Sequence, residues 1–200
     1  MRDVDKTPAR HMLSLEPNIP MTPSEKQLKP EEYSFRDDGI IPNNPRLSTL
    51  LYRKARGADS PEELAEAFEY VFAKNDWVDS WRNGVYPYHH YHSVTHEVLA
   101  VYRGRATLAL GGAEGQSFAV TAGDVLVLPA GVGHKRVDAS GDFAVVGAYP
   151  KGSDFNLIRG EVPDRDQIDE EIAAVPIPAT DPLFGPQGPL RQIWVTGATA

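Results

Sequence analysis

Four of the six histidines in this 200-residue chain stand in "YHHYHSVTHEVLAVYRG", residues 88 to 104, together with Glu97. Imidazole and carboxylate both suit first-row divalent metals, so the spacing decides what these groups can do together. In an extended chain successive side chains alternate faces at about 3.3 Å per residue, which points His90 and His92 the same way with alpha carbons roughly 6 to 7 Å apart. Two imidazoles so placed can converge on one ion. Glu97 follows a short "SVT" bend and opens "EVLAVY", a strand that can lie antiparallel beside the first segment and bring its carboxylate to the same place. A second cluster follows in "GDVLVLPAGVGH", where an apolar strand runs into a proline and glycine turn that presents His134 at the start of the next strand. The reading is one divalent ion on His90, His92, Glu97 and His134. The competing reading, a polar core without metal, requires every buried imidazole and the carboxylate to find its own hydrogen-bond partner.

Neighbouring residues divide by strand phase. His96, adjacent to Glu97, should face away from the ion; a bulge at "SVT" would reset the phase and make it an alternative ligand. His89 is out of phase with His90 and reads as a surface or interface residue, and His11 as incidental. Tyr86 and Tyr88 share the phase of His90 and are candidates for the wall of a substrate pocket, against the plainer reading of aromatic core. Arg103 shares the phase of Glu97 and could grip a substrate carboxylate, or stand at a solvated strand end. No second acid or base stands out, so no catalytic residue is assigned beyond the ligand set. The chain has no cysteine, which excludes disulfides, thiolate metal sites and cysteine nucleophiles.

The elements that must position these residues are legible in outline. Residues 1 to about 32 carry five prolines and no sustained periodicity, and read as an extended or mobile arm ahead of a single domain over residues 33–200. "SPEELAEAFEYVFAKN" is a helix with Ser60 at its N-cap, Pro61 at the first position and Glu63 completing a capping box; its stripe of Leu64, Ala67, Phe68, Val71 and Phe72 should cover a sheet. "LSTLLY" is expected to add an edge strand. From Val85 to Tyr149 short runs of valine, leucine, tyrosine and threonine alternate with glycine turns, the pattern of an all-β barrel or sandwich. Beyond Tyr149 the chain is proline-rich, with a short helix expected at "DRDQIDEEIAAV" and then an irregular strap ending near Trp194. Trp77 and Trp81 are expected to pack the helix onto the barrel. The face of "VLAVY" formed by Val98, Ala100 and Tyr102 is apolar and needs cover, which predicts a homodimer unless the flanking helix supplies that cover.

The two clusters resemble the signature motifs of the cupin superfamily. Gly84, His90, His92, Glu97 and Gly104 stand at every fixed position of the first, and Gly123, Pro129, Gly131 and His134 match the second; Asp138 replaces the family's usual asparagine, outside the ligand set. "DDGIIPNNP", "NDWVDSWRNGVYPYHHYHS" and "DFAVVGAYPKG" are similar to the YjlB-like group of bacterial single-domain cupins, over about residues 33 to 195. The resemblance implies a double-stranded β-helix, its barrel core at 84–150, holding one divalent ion: iron, manganese, nickel or zinc.

A formal charge of -8 argues against a nucleic-acid partner and against docking on anionic lipid, no apolar run is long enough to span a bilayer, and the N-terminus lacks a secretory core, so the expected location is the cytoplasm. With three neutral imidazoles and one carboxylate, the loaded site would carry a charge near +1, suited to an oxyanion or enolate. That implies a metal-dependent enzyme acting on a small polar or carboxylated molecule, a dioxygenase with iron or an isomerase-type enzyme with a redox-inert metal. The alternative is a non-catalytic ligand binder or metal-dependent sensor.

Overall fold

The computed structural model describes residues 28–197; residues 1–27, with most of the expected arm and His11, lie outside the described residues, as do 198–200. In chain order the elements are β1 (Glu31–Tyr33), β2 (Thr49–Tyr52), α1 (Pro61–Lys74), β3 (Trp77–Asn83), β4 (Glu97–Arg103), β5 (Arg105–Leu110), β6 (Gln116–Thr121), β7 (Val125–Leu128), β8 (His134–Ala139), β9 (Ala144–Pro150), α2 (Arg165–Ala174) and α3 (Pro189–Gly197). Six strands form one sheet in the order β1-β2-β7-β4-β9-β3, and three form a second, β6-β5-β8, with every pairing antiparallel. From β4 onward the chain passes repeatedly between the sheets, β4 to β5, β6 to β7 and β8 to β9. The result is an all-β jelly roll, the double-stranded β-helix. β2 lies between β1 and β7 rather than at an edge.

Alternation along the strands sorts their side chains into two cores. Leu99 and Val101 of β4, Leu126 and Leu128 of β7 and Val145 of β9 face the barrel interior with Leu108, Leu110, Phe118 and Val120 from the smaller sheet. Val98, Ala100 and Tyr102 point the other way, against Leu64, Phe68, Val71 and Phe72 of α1 and Trp194 of α3. A sheet buried on both faces is apolar at successive positions, which is why "EVLAVY" and "VLVL" do not alternate with polar residues. The outer face is thus covered within the chain, and the reason for expecting a homodimer lapses.

The cap of α1 forms as its sequence implies: Ser60 Oγ accepts from the Glu63 amide at 3.2 Å, with Pro61 at the helix start. Gly104, at the crossing from β4 to β5, has φ +70, and a Cβ there would stand 2.5 Å from Ser140 Oγ and 2.9 Å from Phe143 Cα. Both conformation and space demand glycine at this motif position. Trp77 is buried beneath α1 as expected, but Trp81 packs elsewhere. Its indole lies across Gly147, its register partner in β9, where a Cβ would stand 2.2 Å from the ring.

The C-terminal part is more regular than an irregular strap. Asp164 caps α2 by accepting from the Gln167 amide at 3.0 Å, and the described residues end in α3, whose Trp194 is buried and donates to Ser48 O at 2.9 Å. The proline-rich stretch between the helices is organised by one buried carboxylate. Asp181 accepts from the Tyr52 hydroxyl and from the amides of Leu183, Phe184 and Leu190, the last at the start of α3. Proline and glycine density conceals that helix in the sequence, because it is satisfied by a distant acceptor and not by a local cap. Among the described residues no helix is long and apolar enough to cross a membrane.

Candidate metal centre

Leaving β3 at Asn83, the chain runs through the barrel mouth without forming a continuous strand, yet keeps the alternation that the sequence implies. His90 pairs with His134 in an isolated antiparallel bridge, His90 N donating to His134 O at 3.2 Å and His134 N to His90 O at 2.9 Å. Tyr91 points the opposite way into a third core with Ile168 and Ile172 of α2, and His92 returns to the face of His90. The Gly131 amide donates to His92 O at 2.8 Å, so the proline and glycine turn before His134 also holds the segment bearing His92.

The structure brings His90, His92 and His134 together, with one ligand atom from each lying within 4.8 Å of the others, all three buried. Their outer nitrogens share one arrangement: His90 Nδ1 lies 3.2 Å from Tyr88 O, His134 Nδ1 lies 3.1 Å from Val132 O, and His92 Nδ1 contacts Asn156 O. A carbonyl can only accept, so each Nδ1 carries the proton and each Nε2 offers a lone pair to the centre. Glu97, the first residue of β4, places Oε2 3.4 Å from His92 Nε2 and 3.3 Å from His134 Nε2. That oxygen is buried and has no hydrogen-bond partner. Burial raises the Glu97 carboxyl, and His92 and His134 hold it below the usual carboxylate range only when they turn a proton toward it; with their lone pairs inward, a cation has to take the place of those protons. Burial pushes His90 down to about 3, with His134 adding to the effect, so His90 is neutral.

Three inward lone pairs and an orphaned anionic oxygen are an unfavourable set unless something cationic sits among them. The residues present fit a divalent ion, and His90, His92, His134 and Glu97 are the ones that could hold it.

His96 is not part of this group. It is buried on the other side of β4, with Nδ1 accepting from the Ala130 amide at 2.9 Å and its ring 4.8 Å from that of Trp194. His89 is half-buried beside Lys135 and Asp38. Tyr86 lies on the cavity wall at the mouth, 47% exposed, and its ring stacks 5.0 Å from that of Tyr88. Tyr88 is not among the lining residues; Arg159 lies 3.5 Å above its ring. Arg103 is a correction: the register shifts after Val101 and pairs it with Ala144 of the outer face, six residues along β4 carry it about 20 Å from Glu97, and its Nε donates to Asp142 O at 2.8 Å. Phase reports a face and says nothing of which end of the strand the site occupies.

Above the cluster opens a cavity of about 380 Å³. Its wall includes Trp81, Tyr149 and Phe155, none of which stands out from the sequence. The Trp81 indole donates to the Tyr149 hydroxyl at 3.2 Å, and the Tyr149 and Phe155 rings stack at 5.1 Å, 5° from parallel. Burial, with the charge of nearby Glu97, pushes the Tyr149 phenol up, so it stays protonated. With Trp81 donating to it, its own hydrogen is free for Glu97 or a ligand. The signal available was alternation: Val145, Gly147 and Tyr149 share a face of β9, and Gly147 leaves room for a large partner.

No family model matches the chain. Among solved structures, a variant of Bacillus subtilis oxalate decarboxylase matches 56% of this chain and 27% of its own at 17% identity, with a TM-score of 0.35. A DUF861 family protein from Thermotoga maritima matches 46% of this chain and 92% of its own at 19% identity, with a TM-score of 0.30. The uncharacterized protein YjlB of Bacillus subtilis strain 168 is 41% identical over 165 residues, covering 82% of this chain and 96% of that one. Identity at that level over nearly the whole of the relative shows common descent: this chain belongs to the YjlB-like family of cupins.

Proposed function

We propose that the protein is a metal-dependent enzyme whose cavity takes a small molecule with a carboxylate and an adjacent oxygen, held against a divalent ion on His90, His92, Glu97 and His134. The observation that carries this reading is the arrangement of donors. Three Nε2 lone pairs, each fixed by a carbonyl behind it, face the same point as a buried Glu97 oxygen that has no hydrogen-bond partner. A bound ion would supply a Lewis acid of net charge near +1, with access to O2 chemistry if it is iron. The chain's own residues do the rest. Tyr149 offers a hydrogen bond from the cavity wall, Trp81 orients that phenol, and the apolar walls keep water from the bound acid.

A second reading, a non-catalytic binder or sensor, is favoured by the scarcity of proton-transfer groups. Among the described lining residues outside the cluster there are two phenols, Tyr86 and Tyr149, and one carboxylate, the exposed Asp79. Elemental analysis of protein purified without chelators tests the metal. Optical spectra of the Co(II) form with 2-oxo and 2-hydroxy acids, followed by turnover with and without O2, test the chemistry. Spectral change without turnover across a broad panel would favour the binder; an unchanged spectrum would count against direct coordination.

A further inference from the structure

The cavity is larger and more apolar than a three-carbon acid needs. Its volume of about 380 Å³ lies within the range of whole-ligand pockets, roughly 300 to 1,000 Å³. Trp81, Val85, Leu99, Tyr149, Phe155 and Leu157 form its walls. Among the described lining residues the one arginine or lysine, Arg82, is turned to α1, where Glu69 holds it through two contacts of 2.7 Å and Glu62 through one of 3.0 Å. Away from the histidine and glutamate floor, the described walls offer a ligand mainly rings and aliphatic carbon.

Two of these wall residues are exposed in a way that is built. Phe155 is 62% and Leu157 40% exposed, on the strap that follows β9. Between them Asn156 turns inward: its carbonyl meets His92 Nδ1, its Oδ1 accepts from the Ser93 amide at 3.0 Å, and its Nδ2 donates to Ser93 Oγ at 2.7 Å. One residue later, Ile158 makes a two-way backbone bridge to Tyr91, at 3.0 and 3.1 Å. The strap is therefore pinned at 156 and 158 and presents 155 and 157 to the cavity. Phe155 stacks on Tyr149 and meets the His92 ring at 6.4 Å, edge to face. Large apolar groups held at a cavity mouth, anchored from behind and open in front, are a surface that a ligand covers.

We propose that the ligand class of this site is a 2-hydroxy or 2-oxo acid bearing a flat aromatic substituent, whose ring lies against Phe155 and Leu157 while its oxygens reach the cluster. Phe155 and Leu157 are specificity-determining residues of the strap. This rests on the metal-dependent reading for the acid end of the ligand and on the cavity walls for the ring.

The test is calorimetric titration of the full chain, loaded with Co(II) or Zn(II) and after chelation, with 3-phenyllactate and with lactate. The loaded protein is expected to bind 3-phenyllactate roughly tenfold or more tightly than lactate, since the added ring leaves water on binding. Phe155→Ser and Leu157→Ser, both at exposed positions, should each move that ratio toward one, with unchanged melting temperature and metal content showing that fold and site persist. Equal affinities, an unchanged ratio in both variants, or binding of neither acid to the loaded protein would overturn the proposal. The metal reading fails separately: a preference for 3-phenyllactate that is the same with and without metal supports the aromatic compartment and removes the ion from acid recognition.

Discussion

His92 and His96, four residues apart and both buried, are separated by β4 and by what their rings do. His92 offers Nε2 to the cluster, whereas His96 spends Nδ1 on the Ala130 amide and packs on Trp194. His92→Ala should therefore abolish most of the metal content with a modest change in the melting temperature of the chelated protein. His96→Ala should retain metal and lose about 1–3 kcal/mol of stability, through a backbone donor left unpaired and a hole beside the indole. Metal analysis and denaturant titration on both variants separate the two; metal lost from His96→Ala and kept by His92→Ala would reverse the assignment. His96 also sets a pH dependence. Burial pushes its imidazole down to about 3, against about 6.5 in the unfolded chain. Between those values the unfolded state takes up a proton that the folded state refuses. Stability of the chelated protein should accordingly fall as pH drops from about 6.5 toward 4, by an amount on the order of a few kcal/mol. His90, pushed down as far, adds to the same slope, so His96→Asn, which keeps an acceptor for the Ala130 amide and cannot be protonated, should reduce it by about half in urea midpoints measured across the range.

At the scale of elements, the pairing of β3 with β9 shapes the cavity wall. Gly147→Val would put a branched side chain where the Trp81 ring lies 2.2 Å from an added Cβ, so the indole must swing out and release the Tyr149 hydroxyl. The expected cost is about 1–3 kcal/mol, with a shift in tryptophan fluorescence and loss of aromatic ligand binding; a variant with unaltered emission would show that the sheet absorbs the change. This contact also marks where sequence reading stops. Helix α1 was legible because its cap, its proline and its stripe all lie within one short run of sequence, and the motif histidines because strand phase is a local property. Tyr149, Phe155 and Trp81 become neighbours only when β9 pairs with β3 and the strap folds back, and no local periodicity carries that information. Arg103 shows a different failure: the register shift after Val101 undoes its phase, and it stands at the wrong end of its strand. Helix α3 was hidden because its first amide is satisfied by Asp181, held in turn by Tyr52 of β2.

For the molecule as a whole, the candidate ligands come from different layers. Glu97 begins a strand of the six-stranded sheet, His134 a strand of the three-stranded sheet, and His90 and His92 lie on the segment between β3 and β4. An ion bound by all four would join the two layers only in the folded state. Loading at about a hundredfold above the dissociation constant should therefore add about 2.7 kcal/mol, a rise in melting temperature on the order of 5–10 °C for a chain of this size, reversed by chelator and absent in His92→Ala. A melting temperature indifferent to metal would mean that the ion, if it binds, does not hold the layers together. The bridge between His90 and His134 gives that coupling a further meaning. Those two residues are backbone partners across a long stretch of sequence, and a shared ion would close the intervening loop a second time, through side chains. In polymer terms it is a cross-link, and closing loops of this order restricts an unfolded chain by about 3–5 kcal/mol. With the ion bound, a protein without cysteine would carry the counterpart of a disulfide, one whose making and breaking would answer to metal supply instead of redox state.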